Sequence, residues 1–330
     1  QSWIVNYKTV EDRLQYTARL AANWMKLGQK AAKDKKVAVI LANYPNKDGR
    51  LANGVGLDTP QSVAEFLTVL NKAGYSLENA PSTSAGLMDL IRAGVTNNLE
   101  DILSRKVGPT LSLDSYTKFF EALPKRVQEQ VADQWGSPDQ DPFFRDGLFL
   151  LPAQQLGSVA VAIQPARGYN IDPVETYHSP DLIPPHNYLA FYAWLRLSED
   201  HQGFAADAVI HFGKHGNLEW LPGKGLALSN ECIPDAVLGP MPQLYPFIVN
   251  DPGEGSQAKR RTSAVVVDHL TPPLTRADTY GPLRELELLI DEYYEAAGID
   301  PRRLPSLREK ILSLTGRSGL DKDCGIDPKD

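Results

Sequence analysis

Residues 35–41 read Lys-Lys-Val-Ala-Val-Ile-Leu, a basic pair followed by five apolar residues. A short apolar run of this kind is typical of a strand that is buried on both faces of a parallel sheet. The Asn-, Pro- and Gly-rich segment 43–58 predicts a loop, and Thr59-Pro60 predicts the capped start of a helix that ends at Gly74. Strand, loop and helix in this order predict an α/β fold.

Two further apolar runs extend this pattern along the chain. Residues 159–163 read Val-Ala-Val-Ala-Ile and stop before Pro165, and Ala208-Val209-Ile210 forms a shorter run. Between them, Pro184-Pro185 precedes a stretch in which Leu189, Ala193, Trp194 and Leu197 fall on one face of a helix. We therefore expect open, mostly parallel sheets flanked by helices, with additional helical segments.

The rest of the chain is predicted to be largely helical. A helix is expected over residues 9–33, with Thr9 and Asp12 as a capping box, and residues 84–135 are mostly helical. Further helices are expected over 256–270, capped by Ser256, over 281–297 and over 302–315. The polar, turn-rich segment from Gly136 to Pro142 suggests a boundary between an α/β domain with a helical part at 1–140 and an α/β domain at 141–330.

Composition excludes several classes of protein. The 330 residues are 42% hydrophobic and 23% charged, with a formal net charge of -7. An acidic chain whose only dense basic run is 259–261 is a poor candidate for a nucleic-acid-binding protein. No apolar stretch approaches the roughly 20 residues that span a bilayer. Two distant cysteines, Cys232 and Cys324, indicate free thiols. A cytoplasmic protein is expected.

The loop after the third predicted strand carries the first candidate site. Residues 211–224 read His-Phe-Gly-Lys-His-Gly-Asn-Leu-Glu-Trp-Leu-Pro-Gly-Lys, and ligands of open α/β sheets bind where strands end. His211, His215 and Glu219 offer two imidazoles and a carboxylate, which suit a divalent transition metal or a base that accepts protons near neutral pH. The spacing is equally compatible with one buried structural histidine and one surface histidine.

A second polar segment leads into a basic run. Residues 250–256 read Asn-Asp-Pro-Gly-Glu-Gly-Ser, and Lys259, Arg260 and Arg261 follow. A helix start with nearby cations would favour a ligand that bears carboxylates, although a capped surface helix explains the same pattern. Glu254 lies between two glycines, where packing gives little reason for its side chain. His178 and His186 are further candidates.

No nucleotide site is expected in this chain. Gly223-Lys224 superficially resembles a phosphate-binding loop, but six residues separate Gly216 from Gly223 where the motif requires four. Gly225 also stands where the motif has the hydroxyl that binds magnesium. A dinucleotide-binding fingerprint is likewise missing from the sequence.

Several long motifs together resemble one known family. Residues 211–224, 245–261 and 268–273 look like the CobN family, the large subunit of aerobic cobaltochelatase, and residues 164–169 and 177–186 agree. The related magnesium chelatase large subunit more often has Glu-Phe-Met where this chain has Glu219-Trp-Leu. This difference favours cobalt. Family members are about three to four times longer, so the chain resembles a fragment of one.

The resemblance implies a reaction and a division of labour. It implies that Co²⁺ is inserted into hydrogenobyrinic acid a,c-diamide, with ATP and Mg²⁺ on separate AAA+ partner subunits of the CobS and CobT type. Glu219, His215 and Glu254 are then the catalytic candidates, and His211, His215 and Glu219 the metal donors. His186, Lys259, Arg260 and Arg261 would contact the tetrapyrrole substrate.

Other functions fit parts of this pattern. A magnesium chelatase large subunit would insert Mg²⁺ into protoporphyrin IX, and a non-catalytic module would bind a tetrapyrrole without needing His215 and Glu219. A metallohydrolase would use the same His/His/Glu set to activate a water on zinc. The motif resemblance alone separates the chelatase from these alternatives.

Overall fold

The structure is a computed structural model of the chain. It describes residues 7–43, 48–52, 57–100, 102, 104–169, 179–213, 216–248, 252–269 and 281–321. Among the predicted site residues, His178 and His215 lie outside these ranges. No helix within them is both long and apolar enough to cross a membrane.

The strands and helices alternate along the chain. The strands are β1 Val37–Leu41, β2 Thr110–Ser112, β3 Phe144–Arg145, β4 Leu148–Leu150, β5 Ala153–Leu156, β6 Val159–Ile163, β7 Ala208–Phe212, β8 Gln243–Ile248 and β9 Val265–His269. The helices are α1 Glu11–Gln29, α2 Thr59–Lys72, α3 Ser84–Ala93, α4 Leu113–Glu121, α5 Lys125–Trp135, α6 His186–Arg196, α7 Ile233–Leu238, α8 Pro252–Arg261, α9 Pro282–Ile299 and α10 Leu304–Ser318.

The main sheet of the described chain has the strand order β5-β6-β1-β7-β8-β9. All of its strand pairs are parallel except β5 with β6, which confirms the predicted mostly parallel α/β fold. In β1, Leu41 lies opposite Ile163 of β6 and Phe212 of β7. The predicted segments 1–140 and 141–330 thus contribute strands to one sheet. A small antiparallel sheet has the order β2-β4-β3.

Helices cover both faces of the main sheet. Alternate β1 residues belong to different cores: Val39 and Leu41 pack with residues of α2 and α3, whereas Ile40 packs with residues of α6. Every residue of α6 from His186 to Leu195 is buried. The amphipathic helix expected here is therefore buried on all sides, because α4, α7 and the small sheet pack around it.

The structure corrects one predicted helix and two predicted helix caps. The segment predicted as one helix over 256–270 is α8 followed by β9, since Val265-Val266-Val267 is β-branched and favours a strand. Helix α1 begins after Val10, whose side chain cannot cap it, so the proposed Thr9 box is wrong. Helix α2 is capped by Asp58, whose carboxylate accepts from the Gln61 amide at 3.1 Å.

Candidate functional site

The strand order changes direction at β1, which defines a crevice at the carboxyl ends of the strands. The chain passes from β6 on one side of β1, through α6, to β7 on the other side. In open α/β sheets this switch point is where ligands bind. Gln164 follows β6, Asn43 lies two residues beyond β1, and His211 is near the end of β7. The sheet therefore brings the first predicted site residue to the expected edge.

His211 is buried among polar aromatic side chains. Its Nε2 lies 3.4 Å from the Tyr192 hydroxyl and its Nδ1 lies 3.4 Å from Gln243 Nε2. The Tyr245 ring packs against the imidazole, with centroids 5.9 Å apart. Burial lowers the pKa of His211 to about 3. The imidazole is consequently neutral at physiological pH, which is the form that coordinates a metal ion.

Glu219 is a fully buried carboxylic acid held by a tyrosine. It lies in a short 3₁₀ turn, Leu218–Trp220, and its Oε1 accepts a hydrogen bond from the Tyr245 hydroxyl at 3.0 Å. That hydroxyl in turn accepts a hydrogen bond from the Gly216 amide at 2.8 Å. Burial raises the pKa of Glu219, an effect that its hydrogen bonds and Arg261 partly oppose. Such an acid can hold or release a proton closer to neutral pH than an exposed glutamate.

His211 and Glu219 meet at Gly216. A Cβ placed on Gly216 would lie 3.1 Å from His211 Nδ1, 3.2 Å from Glu219 Oε2 and 3.5 Å from Gln164 Oε1. Glu219 Oε2 forms no hydrogen bond with any residue that the structure describes. One imidazole nitrogen and one carboxylate oxygen thus face a common point, a donor pair that suits a borderline divalent metal.

The third predicted metal donor, His215, lies outside the described residues, and its role stays a prediction. No group of three or more His, Cys, Asp and Glu side chains placed to hold a metal occurs within the described ranges. The side-chain oxygen of Gln164 also faces the point shared by His211 and Glu219. A metal ion at this point would therefore meet mixed nitrogen and oxygen donors.

Helix α8 brings Glu254 to the same tyrosine. Glu254 is buried in the first turn of α8. The pKa of Tyr245 is raised first by burial and then by the charges of Glu219 and Glu254. The two carboxylates predicted from separate motifs therefore share Tyr245 as a neighbour.

The basic run at the end of α8 divides into two kinds of residue. Arg261 is buried and donates from Nη1 to the Glu219 carbonyl at 2.6 Å and from Nε to the Lys224 carbonyl at 3.0 Å. Arg261 thus stabilises the loop that carries Glu219. Because its guanidinium is bonded within the fold, its predicted contact with a macrocycle carboxylate is not favoured. Lys259 and Arg260 are exposed, and their contact with substrate stays a prediction.

His186 is a predicted substrate-binding residue, but the structure places it in the protein core. Its Nδ1 lies 2.6 Å from the Tyr116 hydroxyl, and its Nε2 lies 3.0 Å from the Gly136 carbonyl. The carbonyl requires a proton on Nε2, so Nδ1 accepts from Tyr116. Both ring nitrogens are used within the fold, and the residue is 1% exposed. The substrate-binding prediction for His186 is therefore not supported.

His186 makes the stability of the fold depend on pH. Burial lowers the pKa of His186, although Gly136, Asp141 and Asp139 oppose that effect. The unfolded chain therefore takes up a proton at a higher pH than the folded chain, and stability is lost as pH falls below the unfolded value of about 6.5. We expect His186→Gln to reduce the pH dependence of the free energy of unfolding by up to about 1.4 kcal/mol per pH unit. Urea unfolding at pH 7.5 and 5.5 measures it, and equal acid sensitivity in both proteins would contradict it.

A buried polar network connects the site to α6. Gln164 Nε2 donates to the Tyr188 and Tyr192 hydroxyls, both at 3.0 Å, and the Tyr188 hydroxyl donates to Asn217 Oδ1 at 2.7 Å. These residues were not among the site residues predicted from the sequence. Two signals were present: Gln164 directly follows a predicted strand, and Tyr188 and Tyr192 are spaced i, i+4 on one helix face.

Tyr245 was also missed as a site residue, and its hydroxyl is testable. Tyr245→Phe keeps the ring but removes the bond that lowers the pKa of Glu219. For a full-length subunit that inserts metal, we expect about tenfold slower insertion at pH 7 and an acid limb of the pH-rate profile moved to higher pH. Tyr116→Phe, which removes another buried hydroxyl bond, is the matched control. A shared loss of stability with unchanged pH profiles would show a purely structural role.

Comparison with known proteins places the chain in a family. The family described as CobN/Magnesium Chelatase matches residues 1–330. The chain belongs to the CobN/magnesium chelatase family. This membership confirms the resemblance inferred from the sequence motifs.

The relatives include both cobaltochelatase subunits and magnesium-chelatase subunits. The chain is 55% identical over 99% of its length to the aerobic cobaltochelatase subunit CobN of Sinorhizobium sp, covering 25% of that protein. It is 31% identical over 94% of its length to the chloroplastic magnesium-chelatase subunit ChlH of Oryza sativa subsp. japonica, covering 22% of it. The catalytic subunit of cobaltochelatase from Mycobacterium tuberculosis shares 40% identity and a TM-score of 0.71, over 97% of this chain and 27% of that one. The chain spans about a quarter of the length of these relatives.

Proposed function

We propose that this chain forms part of the metal-insertion site of an aerobic cobaltochelatase large subunit, which inserts Co²⁺ into hydrogenobyrinic acid a,c-diamide. The observation that carries the proposal is the convergence of His211 Nδ1 and Glu219 Oε2 at Gly216, on the ligand-binding edge of the sheet. The 55% identity to a cobaltochelatase subunit, against 31% to a magnesium chelatase subunit, supports cobalt as the substrate metal.

Insertion requires three chemical events, and the buried groups fit them. The metal must lose water, the ring nitrogens must give up protons, and the metal must pass from protein donors to the ring. The neutral His211 imidazole is a suitable donor for Co²⁺, and His215 is proposed as a second. Glu219, whose pKa is raised by burial, accepts a proton through Oε2, while Tyr245 holds Oε1. Glu254 is proposed as a second carboxylate beside Tyr245.

The donor chemistry also bears on the choice of metal. Mg²⁺ binds oxygen ligands almost exclusively and retains several waters, whereas Co²⁺ accepts imidazole nitrogen readily. The described donors at Gly216 are one nitrogen and carboxylate or amide oxygens. This set favours Co²⁺ over Mg²⁺ as the ion delivered to the ring. ATP hydrolysis is assigned to AAA+ partner subunits of the CobS and CobT type, which bind ATP and Mg²⁺.

Equilibrium binding tests the substrate assignment. The full-length subunit is titrated with metal-free hydrogenobyrinic acid a,c-diamide and with protoporphyrin IX, and binding is followed by absorbance and fluorescence. We expect the corrinoid to bind at least about tenfold more tightly than the porphyrin, because contacts with ring substituents set specificity. Tighter binding of the porphyrin would assign the chain to the magnesium branch and overturn the proposal.

A further inference from the structure

Two buried polar side chains at the β1 end of the crevice have unused hydrogen-bonding groups. Asn43 is 3% exposed and Thr59 is fully buried. Neither the Asn43 Nδ2 and Oδ1 atoms nor Thr59 Oγ1 forms a hydrogen bond with any residue that the structure describes. Leaving a buried polar group unbonded lowers stability, so proteins keep very few of them. Their presence at the ligand-binding edge points to a ligand that bonds with them.

Gly213 places these groups at the crevice between β1 and β7. A Cβ on Gly213 would lie 3.2 Å from Thr59 Oγ1 and 3.2 Å from the Cβ of Ala42, the residue that precedes Asn43. The backbone of Asn43 is fixed by an antiparallel bridge to Leu51. His211 lies only two residues before Gly213 in the chain. Asn43 and Thr59 therefore lie at the same carboxyl edge of the sheet as His211.

The local charges disfavour an anionic ligand here. Thr59 begins α2, but the Gln61 amide in the first turn of that helix already donates to the Asp58 carboxylate. The Ser62 amide donates to the Asp58 carbonyl. The helix start therefore offers a capping carboxylate instead of open amides, and a second anion would be repelled. A neutral group is favoured.

The chemistry of the free atoms defines that neutral group. A side-chain amide has a donor and an acceptor side by side, and a hydroxyl can act as either. A primary carboxamide can pair with Asn43 through both atoms at once. A carboxylate can use only the Nδ2 donor and would place its charge against Oδ1. We propose that Asn43, with Thr59, binds a primary carboxamide side chain of the macrocycle. This inference rests on the proposed function, since it names a subsite for that substrate.

The test compares two corrinoids that differ in two carboxamides. The full-length subunit is titrated with metal-free hydrogenobyrinic acid a,c-diamide and with the unamidated hydrogenobyrinic acid. We expect wild type to prefer the diamide by at least about tenfold, the effect of one well-formed hydrogen-bonding pair. Asn43→Leu should lower diamide affinity by about tenfold and leave the affinity for the diacid within about twofold.

The same variant has a second, independent readout. Replacing unbonded buried polar atoms by an apolar side chain of similar size removes a cost, so the melting temperature of unliganded Asn43→Leu should rise. Asn187→Leu is the matched control, because Asn187 is also buried but its Nδ2 donates to the Leu150 carbonyl at 3.0 Å. That control should melt at a lower temperature and keep the diamide preference. Asn43→Ala serves as a smaller replacement if Leu prevents folding.

The outcomes separate this inference from the proposed function. Equal wild-type affinity for the two corrinoids, or an unchanged preference in folded Asn43→Leu or Asn43→Ala, overturns the carboxamide subsite while corrinoid binding stands. Failure of wild type to bind either corrinoid overturns the proposed function and the subsite together. Loss of the preference in both variants, with normal binding by Asn187→Leu, supports the assignment.

Discussion

Glu219→Gln in the full-length subunit should lower the rate of Co²⁺ insertion by at least about 10²-fold, the usual effect of losing a positioned acid-base group. Glutamine keeps the size of the side chain and can still accept the Tyr245 hydrogen bond at its carbonyl oxygen. It replaces Glu219 Oε2, which faces Gly216 and His211, with an amide nitrogen that has neither the charge nor the basicity of a carboxylate oxygen. Macrocycle affinity should be preserved, because ligand pockets generally hold such rings through apolar and aromatic contacts.

Three measurements on this variant separate a chemical role from a structural one. They are the insertion rate with AAA+ partners present, the macrocycle affinity and the melting temperature. Glu129→Gln, on the outer side of α5, makes the same change of charge and should alter none of them. Near-normal insertion by a stable Glu219→Gln protein would remove Glu219 from the mechanism. A joint fall in stability and affinity would indicate a structural carboxyl.

Gly216→Val should lower the insertion rate by a similar factor for a different reason. Even the first carbon of a side chain here would lie 3.1 Å from His211 Nδ1 and 3.2 Å from Glu219 Oε2, closer than most packed contacts. The branched methyl groups would force the imidazole and the carboxylate apart. Since small displacements of reacting groups reduce rates strongly, we expect insertion to fall by about 10²-fold.

The same region of the chain provides a control for this substitution. A Cβ at Gly225 would have no atom within 4 Å, so Gly225→Val adds the same bulk in open space. We expect Gly225→Val to insert metal at nearly the wild-type rate. Binding of Co²⁺, measured by its visible absorption spectrum, should weaken in Gly216→Val only. Equal rates for the two variants would show that nothing depends on the space beside Gly216.

Much of the fold could be predicted from local sequence. The apolar runs at 37–41 and 159–163 are strands with those bounds, since a strand buried on both faces must be apolar throughout. Their order in the sheet could not be read from the sequence, because pairing of β1 with β6 and β7 joins residues more than a hundred positions apart. The strand β9 was missed because a basic helix precedes it closely.

Local sequence also predicted part of the candidate site. His211 and Glu219 are eight positions apart in one predicted loop, and their types alone suggested proton or metal chemistry. Tyr245 could not be linked to them, since its position depends on β8 lying next to β7. The roles expected for His186 and Arg261 were not supported because burial is a tertiary property: both side chains have partners within the fold that no local pattern reveals.

A single-turnover insertion assay tests most directly whether this edge of the sheet serves metal insertion into a corrinoid. The full-length subunit, loaded with stoichiometric metal-free hydrogenobyrinic acid a,c-diamide, is mixed with AAA+ partner subunits, ATP and Mg²⁺, either with Co²⁺ added or with Mg²⁺ as the only metal ion, and the ring spectrum is recorded. We predict one equivalent of cobalt corrinoid with Co²⁺, no metallated product with Mg²⁺, and a loss of at least about 10²-fold in rate with Glu219→Gln. Stoichiometric corrinoid binding without any cobalt product would contradict the account.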